Sequence, residues 1–338
     1  NLPVLLQHSD FHPTELRDGI RTKITNKDEP DPSAKKNRNA LTDFISHYLK
    51  FIEQLLPKVE NAHLVAKSGL PEHADRYSNV DWYEENIQSP IRQFLLSKPI
   101  VKTASGAQVK IEKARFILSE LESRNSLFDL ASSIIPEHLP EKESIWHWSE
   151  IIDQELEQWP TGVQFDINDL VALVETSIDL SEYESFEWLK SLYEFLAENK
   201  LLHLGDVTPI YPTEANHFKA KDSELYLHPQ IDEEFKYVSK GLGRDLDEEF
   251  LNRKVGNVEG IKPFDLNKFY NDLNKNLISD LKVEDATEEQ AKSIIRINSL
   301  FKSDRALKRE QWLDVIQQLL PHLISERKII TVNYDNYW

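Results

Sequence analysis

The chain contains no cysteine and no methionine, only 9 glycines in 338 residues, and no long apolar run. Without cysteine there is no disulfide, no thiolate nucleophile and no cysteine-based zinc or iron-sulfur site. The longest apolar stretches, such as Leu170 to Val174 and Val4-Leu5-Leu6, fall far short of the roughly 18 residues a bilayer-spanning helix needs, so no membrane segment is expected. With no cysteine and no secretory signal pattern at its start, a cytoplasmic protein is expected. Ordinary usage would give on the order of seven methionines. Their absence reads as a piece of a longer protein, or as a sequence from which selenomethionines are missing, and each omission would displace the apparent helical period by one position.

Cations are scarce as well. Lys and Arg total 40 against 58 Asp and Glu, a formal net charge of -18, so a phosphate backbone would be repelled over most of the surface and nucleic acid is not an expected partner. Hydrophobic residues at 40% and charged residues at 29% are those of a folded globular chain, long enough for two or three domains.

Leu2-Pro3-Val4-Leu5-Leu6 reads as a short buried strand, and Asp18-Gly19 as a tight turn. No strand follows to pair with the first. Asn26 to Asn39 is polar, with Asp28, Glu29, Pro30, Asp31 and Pro32 as a linker, and then Leu41, Phe44, Ile45, Tyr48, Leu49, Ile52, Leu55 and Leu56 recur at helical spacing. Further helix starts are marked by Asp166 before Leu170, by Ser181 with Glu184, by Asp265 before Leu266, and by Thr287 with Gln290. Ile329-Ile330-Thr331-Val332 reads as a closing strand.

Two stretches break the helical pattern and resemble each other. Pro99-Ile100-Val101-Lys102-Thr103 leads through Ser105-Gly106 to Val109-Lys110-Ile111, and Pro209-Ile210-Tyr211-Pro212-Thr213 leads through Ala215-Asn216 to Phe218-Lys219. Each predicts a strand-turn-strand, about 110 residues apart, as a loose duplication of one hairpin or as coincidence over five residues. Residues 241 to 262 read as a second polar, turn-rich region carrying Gly241, Gly243, Gly256 and Gly260.

No motif spells out an active site: there is no Walker-type loop, no Gly-x-Ser-x-Gly and no His-Glu-x-x-His. His138, Glu141, Glu143 and His147 form the densest metal-type group, but nine residues separate the two histidines, where a helical ligand pair needs three or four. Trp146 and Trp148 flank His147 in a pattern that favours helix packing over stacking on a base or sugar. Asp245, Asp247, Glu248 and Glu249, and also Asp232-Glu233-Glu234, are carboxylate clusters of the kind that supply an acid and a base, although in amphipathic patterns they read as solvated faces. Gly241-Leu242-Gly243 is half a dinucleotide fingerprint, with Leu246 where the third glycine belongs, and reads as a helix end.

The segment His8-Ser9-Asp10-Phe11-His12-Pro13-Thr14-Glu15-Leu16-Arg17-Asp18-Gly19-Ile20 resembles a family of large bacterial ATP-binding proteins with a sacsin-like, heat-shock-chaperone-type (GHKL) ATPase domain at the N-terminus. The resemblance continues through Asp81-Trp82-Tyr83-Glu84-Glu85-Asn86-Ile87-Gln88-Ser89-Pro90-Ile91-Arg92, the two Pro-Ile hairpins and Asp222 to Leu227, and fades beyond residue 240. It implies that the first strand closes an upstream ATPase domain and that the parent protein binds Mg-ATP. Asp18-Gly19-Ile20-Arg21 does not supply the Asp-x-Gly-x-Gly of such an ATPase, so no nucleotide-site residue is carried over.

The expected fold is α+β, predominantly α-helical and multidomain, with two small β-hairpin modules. The expected divisions are 1–25, the closing strand and exit segment of the upstream ATPase domain; 26–98, a helical segment; 99–204, a β-hairpin plus helical domain; and 205–338, a second of the same kind. The expected function is a non-catalytic coupling region that relays nucleotide-driven movement or binds protein clients. Alternatives are a recognition scaffold of a stress or defence system without ATP dependence, displaying aromatics around Trp82-Tyr83 or Trp146 and Trp148, and a hydrolase using an acidic cluster. No cofactor, metal or catalytic residue is expected within the chain itself. Arg17, Arg21 and Lys23 are candidates to touch the nucleotide or the closed interface of the upstream domain.

Overall fold

A computed structural model describes residues 31–59, 62–66, 79–118, 123–154, 156–229 and 233–265, with short pieces at 9, 11–13, 20–24, 231, 287 and 293. The expected strands at Leu2–Leu6 and Ile329–Val332, the turn at Asp18-Gly19, and the helices after Asp265 and Thr287 lie outside the described residues. The architecture is α+β and predominantly helical, with short two-stranded sheets. Among the described residues no helix is long and apolar enough to cross a membrane. The chain divides into two compact units, residues 1–170 and 171–338.

The first unit opens with helix α1, Pro32–Leu55. It begins nine residues before the apolar periodicity at Leu41, inside the stretch expected to be a linker. Asp31 is the N-cap, its carboxylate accepting from the Ser33 amide at 2.9 Å, and Pro32 occupies the first helical position, where its missing N–H costs nothing. The polar residues that follow lie mostly on the solvent side: Lys35, Lys36 and Asn39 are exposed, whereas Ala34, Asn37 and Ala40 face inward. After α2 (His63–Ala66), α3 (Val80–Tyr83) runs through one π-helical turn, Glu84–Gln88, into α4 (Ser89–Ser97). Ile45, Tyr48 and Ile52 of α1 pack with Ile87, Ile91 and Leu95, and with Phe116 and Trp148 from later in the unit. Full burial of each such side chain contributes roughly 1.5–3 kcal/mol.

The two Pro-Ile stretches are hairpins. In the first unit β1 (Val101–Lys102) pairs antiparallel with β2 (Gln108–Val109), placing Val101 opposite Val109. In the second, β5 (Tyr211–Pro212) pairs with β6 (Phe218–Lys219), placing Tyr211 opposite Lys219. Between them lie β3 (Phe116–Ile117), α5 (Arg124–Ile134), α6 (Ile145–Gln154), β4 (Gln164–Phe165), α7 (Ile167–Ser177) and α8 (Tyr183–Glu198). β7 (Tyr226–Leu227), α9 (Glu233–Gly241) and β8 (Lys262–Pro263) follow the second hairpin. Each hairpin turns through three residues, the last in the left-handed region: Gly106 at φ 84° and Asn216 at φ 61°. That conformation is open to glycine and tolerated by asparagine.

The likeness extends well beyond five residues. Thr103 and Thr213 close their loops with the same pair of backbone bonds, to Ala107 and Gly106 in one case and to His217 and Asn216 in the other. Each loop then docks on a later segment. The Ala104 and Ser105 amides donate to the Leu139 and Pro136 carbonyls, and the Glu214 and Ala215 amides donate to those of Phe250 and Asp247. Glu141 donates back to Lys102 as Asn252 does to Pro212, and Arg115 to His138 as Tyr226 does to Glu249. A parallel pairing follows in both units, β3 with β4 and β7 with β8. The two units therefore carry the same hairpin module, repeated about 110 residues apart. Residues 241 to 262, read as polar, supply the second docking segment and bury Leu246, Phe250, Leu251 and Val255.

Helix ends follow local chemistry. Asp166 accepts from the Asn168 and Asp169 amides while Asp169 accepts from the Asp166 amide, a reciprocal cap for α7. The box expected at Ser181 and Glu184 does not form. Asp179 takes the Ser181 amide at 2.9 Å, and Ser185 donates to the Asp179 carbonyl, so α8 starts at Tyr183 behind Glu182 without a side-chain cap. Gly241-Leu242-Gly243 is a helix end as expected. Gly243 at φ 95° lets Arg244 donate to the Ser239 carbonyl and Gly243 to that of Lys240.

Candidate functional site

Two of the residues proposed from the sequence to face an upstream domain, Arg21 and Lys23, directly follow a short antiparallel bridge, Pro13 opposite Ile20. Arg17 lies outside the described residues. Arg21 donates to Asp31 at 3.0 Å, so it braces the start of α1. The Ser33 amide and then the Arg21 guanidinium lower the pKa of the Asp31 carboxyl. The Lys23 side chain is exposed.

Asn37 is the centre of this region, and nothing in the sequence marked it. Its side chain is 0% exposed. Its Oδ1 accepts from the His12 amide at 2.8 Å, and its Nδ2 donates to the carbonyls of both His12 and Arg21 at 2.9 Å. One buried amide on α1 thus clasps both limbs of the N-terminal pair, and three of its hydrogen-bonding positions are used. The next residue on the helix extends the contact. Arg38 Nε donates to the Thr22 carbonyl at 2.7 Å, and its guanidinium lies 4.8 Å from the Trp82 ring centroid. Thr22 Oγ1 in turn accepts from the Asn79 amide at 3.3 Å, and Asn79 Oδ1 caps α3 by accepting from the Trp82 amide at 2.8 Å. Residues 11–13 and 20–24 are therefore tied to two helices, α1 through Asn37 and Arg38, and α3 through Thr22 and Asn79.

The second tie leads into the π-helical turn, where the Ser89 amide bonds the Glu84 carbonyl. Such a turn carries one residue more than an α-helical turn, and π-turns recur at functional positions. Beneath it the buried Arg92 donates to Gln158 Oε1 at 2.9 Å, and Gln158 donates to Glu84 Oε1 at 2.7 Å. Burial lowers the Arg92 pKa, while the Glu84 carboxylate opposes the shift.

The other sequence candidates are not brought together as reactive groups. His138 Nδ1 lies 3.0 Å from the Lys113 carbonyl, and Glu141 pairs with Lys102 at 2.7 Å. His147 stacks on His63, with ring centroids 4.9 Å apart and planes within 5°. Burial, and then the neighbouring His147, lower the His63 pKa. Among the described residues no group of three or more His, Asp or Glu is placed to hold a metal. Trp148 is buried against Phe116, while Trp146 packs on Phe128 under the Arg124 guanidinium. Trp82 and Tyr83 are half-buried against the first unit's core, so neither pair of aromatics forms an exposed patch.

Each carboxylate of the 245–249 cluster has a cation or imidazole beside it. Asp245 meets Lys240, Asp247 meets Lys236, Glu248 meets His217, and Glu249 takes a bidentate bond from Arg244 at 2.8 Å. Among the described residues these carboxylates fasten the second module through their cationic and imidazole partners. In the Asp232–Glu234 run, Glu233 pairs with Arg253 at 3.2 Å, and Asp232 lies outside the described residues. No family model matches this chain, and neither a curated protein nor a solved structure matches it.

Proposed function

We propose that this chain is a non-catalytic coupling region of a sacsin-like, chaperone-type ATP-binding protein of the cytoplasm, relaying movement of an upstream Mg-ATP-binding domain or binding protein clients. The observation that carries the proposal is the Asn37 clasp, since a single buried amide bonds both limbs of the segment that the resemblance assigns to the exit of the ATPase domain. A displacement of that segment cannot leave α1 in place without breaking three buried hydrogen bonds. Breaking them would leave polar groups unsatisfied at about 1–3 kcal/mol each. Moving with the segment is the less costly response, and α1, at 24 residues, carries the motion over about 36 Å. Arg21 takes part by bracing Asp31, and the mechanism requires no contact between Arg21 and nucleotide.

Hydrogen exchange in the full-length protein that the resemblance implies, with and without a non-hydrolysable Mg-ATP analogue, tests this. Nucleotide should change exchange across residues 33–48 and 79–92, and Asn37→Ala should abolish the change over 33–48 while nucleotide still binds. Unchanged exchange in α1 on saturation with the analogue rejects the coupling role. Failure of the analogue to bind rejects the ATP-linked assignment altogether.

A further inference from the structure

The second unit contains a junction that the coupling role does not use. His228 directly follows β7, Arg253 opens the 3-10 turn Arg253–Val255, and Glu214 lies in the β5–β6 loop. Three stretches distant in sequence thus meet at one guanidinium. Arg253 Nη2 lies 2.6 Å from His228 Nε2 and 3.2 Å from Glu233 Oε1. Its Nε is 3.5 Å from Glu214 Oε1, and its own amide donates to that oxygen at 2.9 Å.

Arginine offers only donors and stays protonated, so a ring nitrogen at 2.6 Å must present a lone pair. His228 is therefore neutral here, with its proton on Nδ1. The ring edge packs on Phe250 with centroids 5.0 Å apart, and Lys236 Nζ lies 6.0 Å from the same Phe250 ring. The charged groups acting on His228 are the cations Arg253 and Lys236 and the carboxylate Glu214, with the Glu233 carboxylate beyond them. Both carboxylates are engaged by Arg253, and Glu233 also by Lys236 at 3.6 Å.

We propose that His228 is a pH-operated latch in the second module: its neutral ring fastens the end of β7 to Arg253, and protonation of Nε2 replaces that hydrogen bond with repulsion between two cations, releasing β7 from the 253–255 turn and the β5–β6 loop. Burial first, then Arg253 and Lys236, set the direction by lowering the pKa of the imidazole. The folded state binds this proton less readily than the unfolded chain, so the contact's contribution is complete above the ordinary histidine value of about 6.5 and is lost as pH falls below it.

The first module is the internal control. Matched through the shared backbone bonds, Ile117 stands in place of His228, Lys142 in place of Arg253 and Ala104 in place of Glu214. Lys142 pairs instead with Asp129 at 2.6 Å. The first unit's own imidazole stack, His63 on His147, lies on α2 and α6 and outside the hairpin.

Hydrogen exchange at pH 7.5 and 5.5, corrected for intrinsic rates, on the wild type and His228→Gln decides the matter. Glutamine places an amide oxygen near the position of Nε2 and does not titrate. In the wild type, acidification should lower protection of residues 211–228 and 249–256 several-fold more than that of 101–117 and 136–144, and His228→Gln should remove the difference. Equal losses in the two modules, or the same loss in His228→Gln, would overturn the latch. Should the variant fail to fold, NMR titration of the wild-type ring serves: a midpoint below that of free histidine with the proton on Nδ1 is expected, and a midpoint at or above it overturns the proposal.

Discussion

In the first module the hairpin loop is Ala104-Ser105-Gly106 and docks on Pro136 and Leu139; in the second it is Glu214-Ala215-Asn216 and docks on Asp247 and Phe250. The hydrogen bonds correspond one to one, yet the side chains around them do not. The first module is held by apolar mass: α6 brings Trp148 against Phe116, and Ile117, Leu139 and Ile145 are buried with them. At the matching place the second has the short 253–255 turn instead of a helix, and beside its buried Leu246, Phe250 and Leu251 ion pairs join the fastening, Lys236 with Asp247, Lys240 with Asp245 and Arg244 with Glu249. Backbone geometry is thus the fixed part of the module, and two different chemistries stabilise it. The shared residues are those the backbone itself needs: Ile100 and Ile210 beneath the strands, and Thr103 and Thr213, both almost wholly buried at the loop mouths.

The largest expected break of this comparison is Trp148→Ala. Removing a fully buried indole from a core without room to collapse costs about 3–5 kcal/mol. Denaturant unfolding should show that loss, with exchange protection falling first at Phe116, Ile117 and the Gln164–Phe165 strand. A loss under 1 kcal/mol would mean that the apolar mass is not what holds the first module.

The matching break in the second module is Arg244→Ala. It leaves Glu249, whose side chain is 8% exposed, as a carboxylate without its bidentate partner. A loss of about 2–3 kcal/mol is expected, smaller than for a fully buried pair because Arg244 keeps some contact with water. Arg244→Met with Glu249→Leu should recover most of it, since two apolar side chains of similar volume remove the uncompensated charge. A double variant no better than the single one would show that the geometry of the pair, rather than its charge balance, is what matters.

These differences explain what the sequence could and could not disclose. The hairpins were legible because Pro-Ile, the threonine and a following Gly or Asn impose local dihedrals. The Asp166 cap was legible for the same reason. The docking of each loop was not, because it is made by backbone groups of Pro136 and Leu139, or Asp247 and Phe250, which any residue could supply. The start of α1 is hidden in the sequence because its first turns are polar and carry no apolar periodicity before Leu41, although Asp31-Pro32 caps it. Asn37 falls inside those turns, and an asparagine there gives no hint that its amide is buried against His12 and Arg21. The carboxylates at 245–249 looked like a free acidic face because their partners Lys236, Lys240 and Arg244 are interleaved with a helix end that only the fold brings round.

Thr103→Val and Thr213→Val sharpen the comparison from the other side, at positions where the modules should behave alike. Thr103 Oγ1 donates to the Ala107 carbonyl at 3.1 Å, and Thr213 Oγ1 accepts from the His217 amide at 3.2 Å. Each substitution keeps the shape and removes that part-buried bond, at Thr103 together with the 3.0 Å contact to Ser105 Oγ, so each should cost about 1–2 kcal/mol. Thermal unfolding of the two variants should agree within the error of the measurement. A clear inequality would mean that the hydroxyls serve different ends despite the shared backbone.

The smallest effect separates the loops themselves. Gly106 and Asn216 both hold positive φ, at 84° and 61°, but asparagine bears a Cβ in a region where L-residues are strained. Nothing lies within 4 Å of a Cβ built on Gly106, so Gly106→Asn meets no clash and only the dihedral preference is probed. Gly106→Asn should therefore cost a few tenths to about 1 kcal/mol, and Asn216→Gly should gain no more than that, because the added freedom of glycine in the unfolded chain opposes the relief of strain. Asn216 Oδ1 also accepts from Asn252 Nδ2 at 3.4 Å, a long bond whose loss cuts the gain further. If Asn216→Gly proves destabilising, that side-chain link to the docking segment outweighs the dihedral strain, and the second loop is held by its asparagine where the first is held by its glycine.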